Sequence, residues 1–374
     1  MNFKAMLFIF IYAISIHEIL PVTIQIDTIT IQNGKTDQTK ITFFADQHTI
    51  SPSEQEQVTS MINFLQEQRD NHSYHILVEQ ASELNKSLAS KNKSAFGYET
   101  LCTLDKHIAQ DQPTLTNIVL ENIEVRHITG QAMDMLNHYW HYKNYSHYMT
   151  DNAKKTIGSI TFQDILDEFE DLKQSLASYY LNQTNQRVSD IYADYIETAN
   201  SYCEQLKSRI VCSNDIVFEY AKKEYQDWLE SNLLEERKDS AKMLAKDIEL
   251  TFNHLFDLNL LKNILNSDSR NLLIFAGGVH TREVINMLGT LKATNIYQAV
   301  NYVSEERMGK MGHKVVYQVK KPITGLQITQ ALSAQPQEKA SSFAPTICYM
   351  TLVAAAVYYF MYVIIPGNIL HGHA

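Results

Sequence analysis

Two apolar runs set the strongest limit on how this chain can fold. Ile41–Ala45 (ITFFA) leads into Asp46-Gln47-His48, and Leu272–Ala276 (LLIFA) leads into Gly277-Gly278-Val279-His280. Each run is short, uninterrupted and rich in β-branched or aromatic residues, which fits a strand buried on both faces. Each is followed by a helical pattern. After the first, Ser51-Pro52-Ser53-Glu54 carries a helix-start signature, and Val58, Met61, Ile62 and Leu65 recur at helical spacing. After the second, a helix is predicted from about Thr281 to Leu291. The same chain therefore drives two buried strands into a histidine, about 230 residues apart.

Further strands are predicted at VTIQIDTITIQNG, which alternates and ends in an Asn-Gly turn, at YHILVEQ ending on Glu79, and at NIEVRHIT holding Arg126. NIYQAV and KVVYQV are expected to close the sheet. Strands alternating with helices predict an α/β fold, with a mostly parallel central sheet flanked by helices. From 131 to 268 the pattern turns helical, with Val188, Ile191, Tyr192, Tyr195, Ile196, Ala199, Tyr202 and Leu206 on one stripe. This stretch reads as a large all-helical insertion between a first half of the α/β domain (20–130) and a second half (269–320).

Both ends carry signals of their own. Residues 1–17 combine Lys4, an apolar run and small residues, the pattern of a secretory signal peptide. After a linker (321–344), residues 345–366 contain no charged residue and are long enough to cross a bilayer, so a transmembrane helix is expected, followed by a short tail (367–374). These signals predict a single-pass membrane protein with its main domain extracytoplasmic. The tail lacks Lys and Arg while Lys320, Lys321 and Lys339 precede the helix, which favours the alternative of a cytosolic, tail-anchored domain. Asn-x-Ser/Thr sequences occur at Asn71, Asn85, Asn92, Asn144 and Asn182.

The formal charge of -10 and the lack of a long basic run argue against a nucleic-acid partner. The four cysteines include no C-x-x-C pair; Cys203 and Cys212 could bond only if the chain turns back between them.

Ligands of open α/β sheets bind beyond the carboxyl ends of the strands. His48, Glu79, Arg126 (or its neighbour His127) and His280 all fall at or past such ends. Two imidazoles and a carboxylate suit a divalent metal with a position left open for water. His48 and His280 are the expected ligands, with Glu79 a third ligand or the general base. Asp46 would orient, and Arg126 would neutralise an oxyanion. Gly277 and Gly278 are expected to allow an unusual turn and a close approach to metal or substrate. His138, His141 and His147 form a second histidine-rich stretch that reads as a packing surface.

This arrangement resembles the TraB/Tiki-type superfamily, which includes ChaN-like and erythromycin-esterase-like proteins and carries paired G-x-x-H motifs. Gly277-Gly278-Val279-His280 matches the second motif. Ala45-Asp46-Gln47-His48 is a degenerate first motif, with Ala in place of Gly. Glu79 corresponds to the family Glu, and Arg126 to its Arg. The likeness covers about 36–320. It implies a membrane-anchored, metal-dependent hydrolase acting on a peptide or small molecule. Erythromycin-esterase-like members imply instead a histidine base. The alternatives are haem binding of the ChaN-like kind and an anchored interaction protein.

Overall fold

The computed structural model describes residues 23–32, 38–46, 54–68, 73–79, 118–144, 146–150, 155–230, 240–300, 302–309, 312–319 and 323–335. The expected signal peptide, His48 and the apolar stretch 345–366 lie outside them. Among the described residues no helix is long and apolar enough to cross a membrane.

Six strands form the main sheet: β1 (Thr23–Gln32), β2 (Gln38–Asp46), β3 (Tyr74–Val78), β4 (Ile118–Asn122), β5 (Asn271–Gly277) and β6 (Thr294–Val300). Their order is β4-β3-β5-β2-β1-β6. The pairs β4/β3, β3/β5 and β5/β2 are parallel, whereas β1 runs antiparallel to both β2 and β6. The sheet is therefore mixed, with a parallel centre and an antiparallel flank. The hairpin explains the departure: β1 and β2 are joined by a short connection, which allows only antiparallel pairing.

β5 shows how the sheet is covered. Leu272, Ile274 and Ala276 enter one core, and Leu273 and Phe275 enter another. That is the period-2 alternation of a strand buried on both faces. On one face lie α1 (Glu54–Gln68), through Met61, Ile62, Phe64 and Leu65, and α8 (Gly325–Ser333), through Ile328, Ala331 and Leu332. Phe44 and Phe275, partners in the β2/β5 register, stack there at 4.6 Å.

The other face carries the expected helical region. It comprises α2 (Thr129–Tyr142), a 3-10 turn (Ile157–Ser159), α3 (Phe162–Tyr180), α4 (Gln186–Arg209), α5 (Val217–Glu230) and α6 (Ser240–Asn266), and is followed after β5 by α7 (Gly278–Thr290). Its residues share one core with Ile41, Phe43, Leu77 and Ile274 of the sheet, so the insertion is packed into the α/β unit. α6 is the most deeply buried of these helices, with Leu244, Ile248, Phe252, Leu255, Phe256, Leu260 and Ile264 all in the core. Cys203 is buried and Cys212 exposed, and both are free thiols.

Three local readings need correction. The strand expected to hold Arg126 ends earlier, at Asn122; the Glu124 carboxylate accepts the N–H groups of Val125 (3.0 Å) and Arg126 (2.8 Å) and so replaces the ladder. The helix expected from Thr281 starts at Gly278, which places His280 in its first turn. KVVYQV does not join the main sheet: it lies in β8 (Gly312–Val319), which pairs antiparallel with β7 (Tyr302–Gly309) as a separate hairpin.

Candidate active site at the carboxyl rim

The parallel strands end along one rim. Asp46 closes β2 opposite Gly277 of β5, and Val78 of β3 pairs with Phe275. Glu79 continues the ladder by one bond, its N–H donating to Phe275 O at 2.8 Å. The exits of β2, β3 and β5 are thus adjacent, as the sequence led us to expect.

His280 is the centre of the site. Its Nδ1 lies 2.6 Å from Asp257 Oδ1, and the two residues are 6% and 2% exposed. An ionised carboxylate can only accept, so Nδ1 carries the proton, and in the neutral ring Nε2 then holds the lone pair. Burial pushes the Asp257 carboxyl above its ordinary range, against the smaller opposing pull of the His280 imidazole. Asp257 comes from the middle of α6 and has no strand-end signature.

Nε2 faces two further groups. Arg126 Nη1 is 3.5 Å away, at the outer limit of a hydrogen bond, and Glu79 Oε1 is 4.0 Å away. Arg126 Nη2 donates to Glu79 Oε1 at 2.6 Å and to Glu124 Oε2 at 2.8 Å, and Arg126 Nε donates to Glu124 Oε1 at 2.8 Å. Burial opposes the guanidinium charge, but Glu124 and Glu79 outweigh it and hold the group well above its usual range. Phe256 packs against both, with Arg126 Cζ 4.6 Å and the His280 ring 4.4 Å from its ring centre.

The scaffold fixes these groups closely. Glu79 Oε2 accepts the Gly277 N–H at 2.7 Å, linking the exits of β3 and β5. Asn259 Nδ2, from α6, donates to Ile123 O at 3.2 Å and pins the turn that carries Glu124 and Arg126. Glu168 of α3 accepts the N–H groups of Ile128 (2.9 Å) and Thr129 (2.8 Å) at the start of α2. Gly277 adopts φ -54 and ψ 145, open to any residue, so the unusual turn expected at Gly277-Gly278 is absent at Gly277.

Of the expected site residues, Glu79, Arg126 and His280 meet. Asp46 is placed at the same rim by its backbone, and His48 lies outside the described residues. His127 is not among the groups around His280. His138 and His141 lie on α2, and the His147 ring lies tilted against Tyr148 at 4.7 Å. Asp257, Glu124 and Phe256 were not anticipated. The one sequence clue to Asp257 is an acid within the apolar run LFDLNLL of Leu255–Leu261.

A resident metal was tested against these donors. Both oxygens of Glu79 are engaged, by Arg126 and by Gly277, and Nδ1 of His280 is engaged by Asp257. The remaining nitrogen, Nε2, faces a guanidinium, which would repel a cation. Among the described residues no group of three or more His, Cys, Asp or Glu side chains is placed to hold a metal ion. Glu79 and His280 thus have protein partners at three of their four donor atoms, and His48, the other expected ligand, lies outside the described residues.

Fold and site together define an α/β protein with a buried carboxylate–imidazole pair and an ion-paired arginine at the carboxyl rim of its sheet. Comparison with protein-family models, with curated proteins and with solved structures finds no match to this chain.

Proposed function

We propose that this chain is a hydrolase in which His280 is the general base. The hydrogen bond between His280 Nδ1 and Asp257 carries the reading, because it fixes the tautomer that leaves Nε2 free to accept a proton. The long contact to Arg126 holds that lone pair only loosely, so a water or hydroxyl can take its place. As Nε2 gains the proton, Asp257 at 2.6 Å and Glu79 at 4.0 Å balance the imidazolium. Arg126 supplies positive charge for an oxygen that turns anionic. Glu79 and Glu124 both pair with Arg126, and Asp257 lies against His280, so a neutral ester or amide suits the site better than an anion.

The order of motifs along the chain, which resembles the TraB/Tiki type, supports hydrolysis, and the erythromycin-esterase-like branch supports a histidine base. Anchoring through 345–366 belongs to the same proposal. The test is hydrolysis of a panel of neutral esters and peptides by the full chain. His280→Ala should lower the rate about 10²–10⁴-fold, and Asp257→Asn should lower it through the wrong tautomer. An undiminished rate in His280→Ala removes the base. Activity lost to a chelator and restored by a divalent ion would replace this mechanism with the metal-dependent one.

A further inference from the structure

We propose that Asn182 is an N-glycosylation site. The inference rests on the extracytoplasmic reading of the domain, and is independent of the proposed hydrolysis. Asn182-Gln183-Thr184 satisfies the acceptor pattern, which requires a hydroxyl two residues on and no proline between. A transferase must also reach the amide and fit the peptide around it, so the acceptor has to sit in an exposed turn.

Asn182 meets that requirement. It lies in the turn joining α3 to α4, and both Asn182 and Thr184 are exposed, as is the neighbouring Leu181 at 76%. The turn is held from outside the acceptor. On one side Tyr180 is fully buried and its hydroxyl donates to Leu258 O at 2.7 Å. On the other, Asn185 caps α4 by accepting the Arg187 N–H at 3.1 Å. The Asn182 side chain makes one exposed hydrogen bond, from Nδ2 to Ser178 O at 2.7 Å. Modification there sacrifices a solvated contact and leaves both anchors in place.

The position relative to the site follows from a second contact. Arg187 Nη1 donates to Thr290 O at 3.1 Å, so the start of α4 lies against the last turn of α7. His280 is in the first turn of that helix, ten residues away, or about 15 Å at the helical rise.

The other described acceptor is less suited. Asn144 is exposed, but Ser146 is packed: its carbonyl accepts the Gly158 N–H at 2.7 Å, and a methyl group on Gly158 would come within 2.7 Å of Ser146 Cβ. Asn71, Asn85 and Asn92 lie outside the described residues.

In the reaction, Asn182 Nδ2 attacks the anomeric carbon of an oligosaccharide carried on a lipid pyrophosphate. The C–N bond forms as the C–O bond to pyrophosphate breaks. The lipid pyrophosphate leaves with the electron pair, and the amide proton passes to a base on the transferase.

The experiment expresses the full chain in a eukaryotic secretory cell and reads gel mobility before and after enzymatic removal of N-linked glycans. Asn182→Gln and Thr184→Ala should each run one glycan step faster than the wild type, whereas Thr184→Ser should keep the step. Wild type and Asn182→Gln running alike, glycosylated elsewhere or not at all, would overturn the proposal. His280→Ala should keep the glycan, so failure of the hydrolase reading is scored separately.

Discussion

Arg126→Met isolates the ion-paired centre of the site. Methionine keeps an apolar stem against Phe256 but removes the charge. Arg126 and its partners Glu79 and Glu124 are 10%, 8% and 13% exposed in their side chains. The substitution strands two nearly buried carboxylates. Glu79 keeps the Gly277 N–H and Glu124 keeps the N–H groups of residues 125 and 126, so each retains part of its solvation. Removing one member of such a buried pair costs about 3–5 kcal/mol. The exposed pair Lys207–Glu204, at 43% and 71%, gives the control; losing it should cost roughly 0–1 kcal/mol. The assay is urea unfolding of the full chain in mild detergent. Arg126→Met should lower the midpoint far more than Lys207→Met. Adding Glu79→Gln removes one stranded charge, so the double variant should be more stable than the sum of the singles by about 1 kcal/mol or more. A loss below about 1 kcal/mol for Arg126→Met would refute the reasoning, since that is the range of a solvated pair.

Two further outcomes follow from single contacts. Tyr180→Phe removes the buried hydrogen bond to Leu258 O and should cost about 0.5–1.5 kcal/mol in the same unfolding assay, with the fold retained; an unchanged midpoint would show that the bond contributes nothing. Burial lowers the Lys40 ammonium, which donates to Leu332 O at 2.5 Å, from 10.5 to about 8. Between those values the unfolded chain holds the proton more tightly than the folded one. The contribution of Lys40 to stability is thus present above 10.5 and lost as pH falls through 8. Wild-type stability minus that of Lys40→Met should rise from pH 8 to 10, and a flat difference contradicts the shift.

The sheet was legible because its evidence is local. LLIFA and ITFFA are apolar without a break, and only a strand covered on both faces tolerates that over so short a run. The rim was legible for the same reason, since parallel strands place Glu79 and His280 at one edge whatever lies between them in sequence. Arg126 was found for the right neighbourhood but in the wrong conformation. Glu124, two residues before it, folds its carboxylate back onto the chain, and an acid at that spacing looks the same in sequence whether it faces solvent or its own backbone. The start of α7 was placed late because two glycines read as a turn, whereas Gly277 adopts an ordinary extended conformation and the helix follows at once.

Asp257 was hidden for a different reason. Its meeting with His280 depends on how α6 of the insertion packs on the α/β unit, and periodicity carries no information on that. The consequence reaches the chemistry. In the sequence the donors at the rim stood without their partners, and one of the two imidazoles, His48, lies outside the described residues. With the partners in place, Glu79 is shared between a cation and a backbone N–H, and His280 is shared between an acid and that same cation. The sheet sets the position of the imidazole, but α6, through Asp257, sets which nitrogen is free and, through Asn259, holds the turn that brings Arg126 opposite it. The insertion therefore supplies part of the candidate site, and a reading confined to the two G-x-x-H-like motifs sees only half of it.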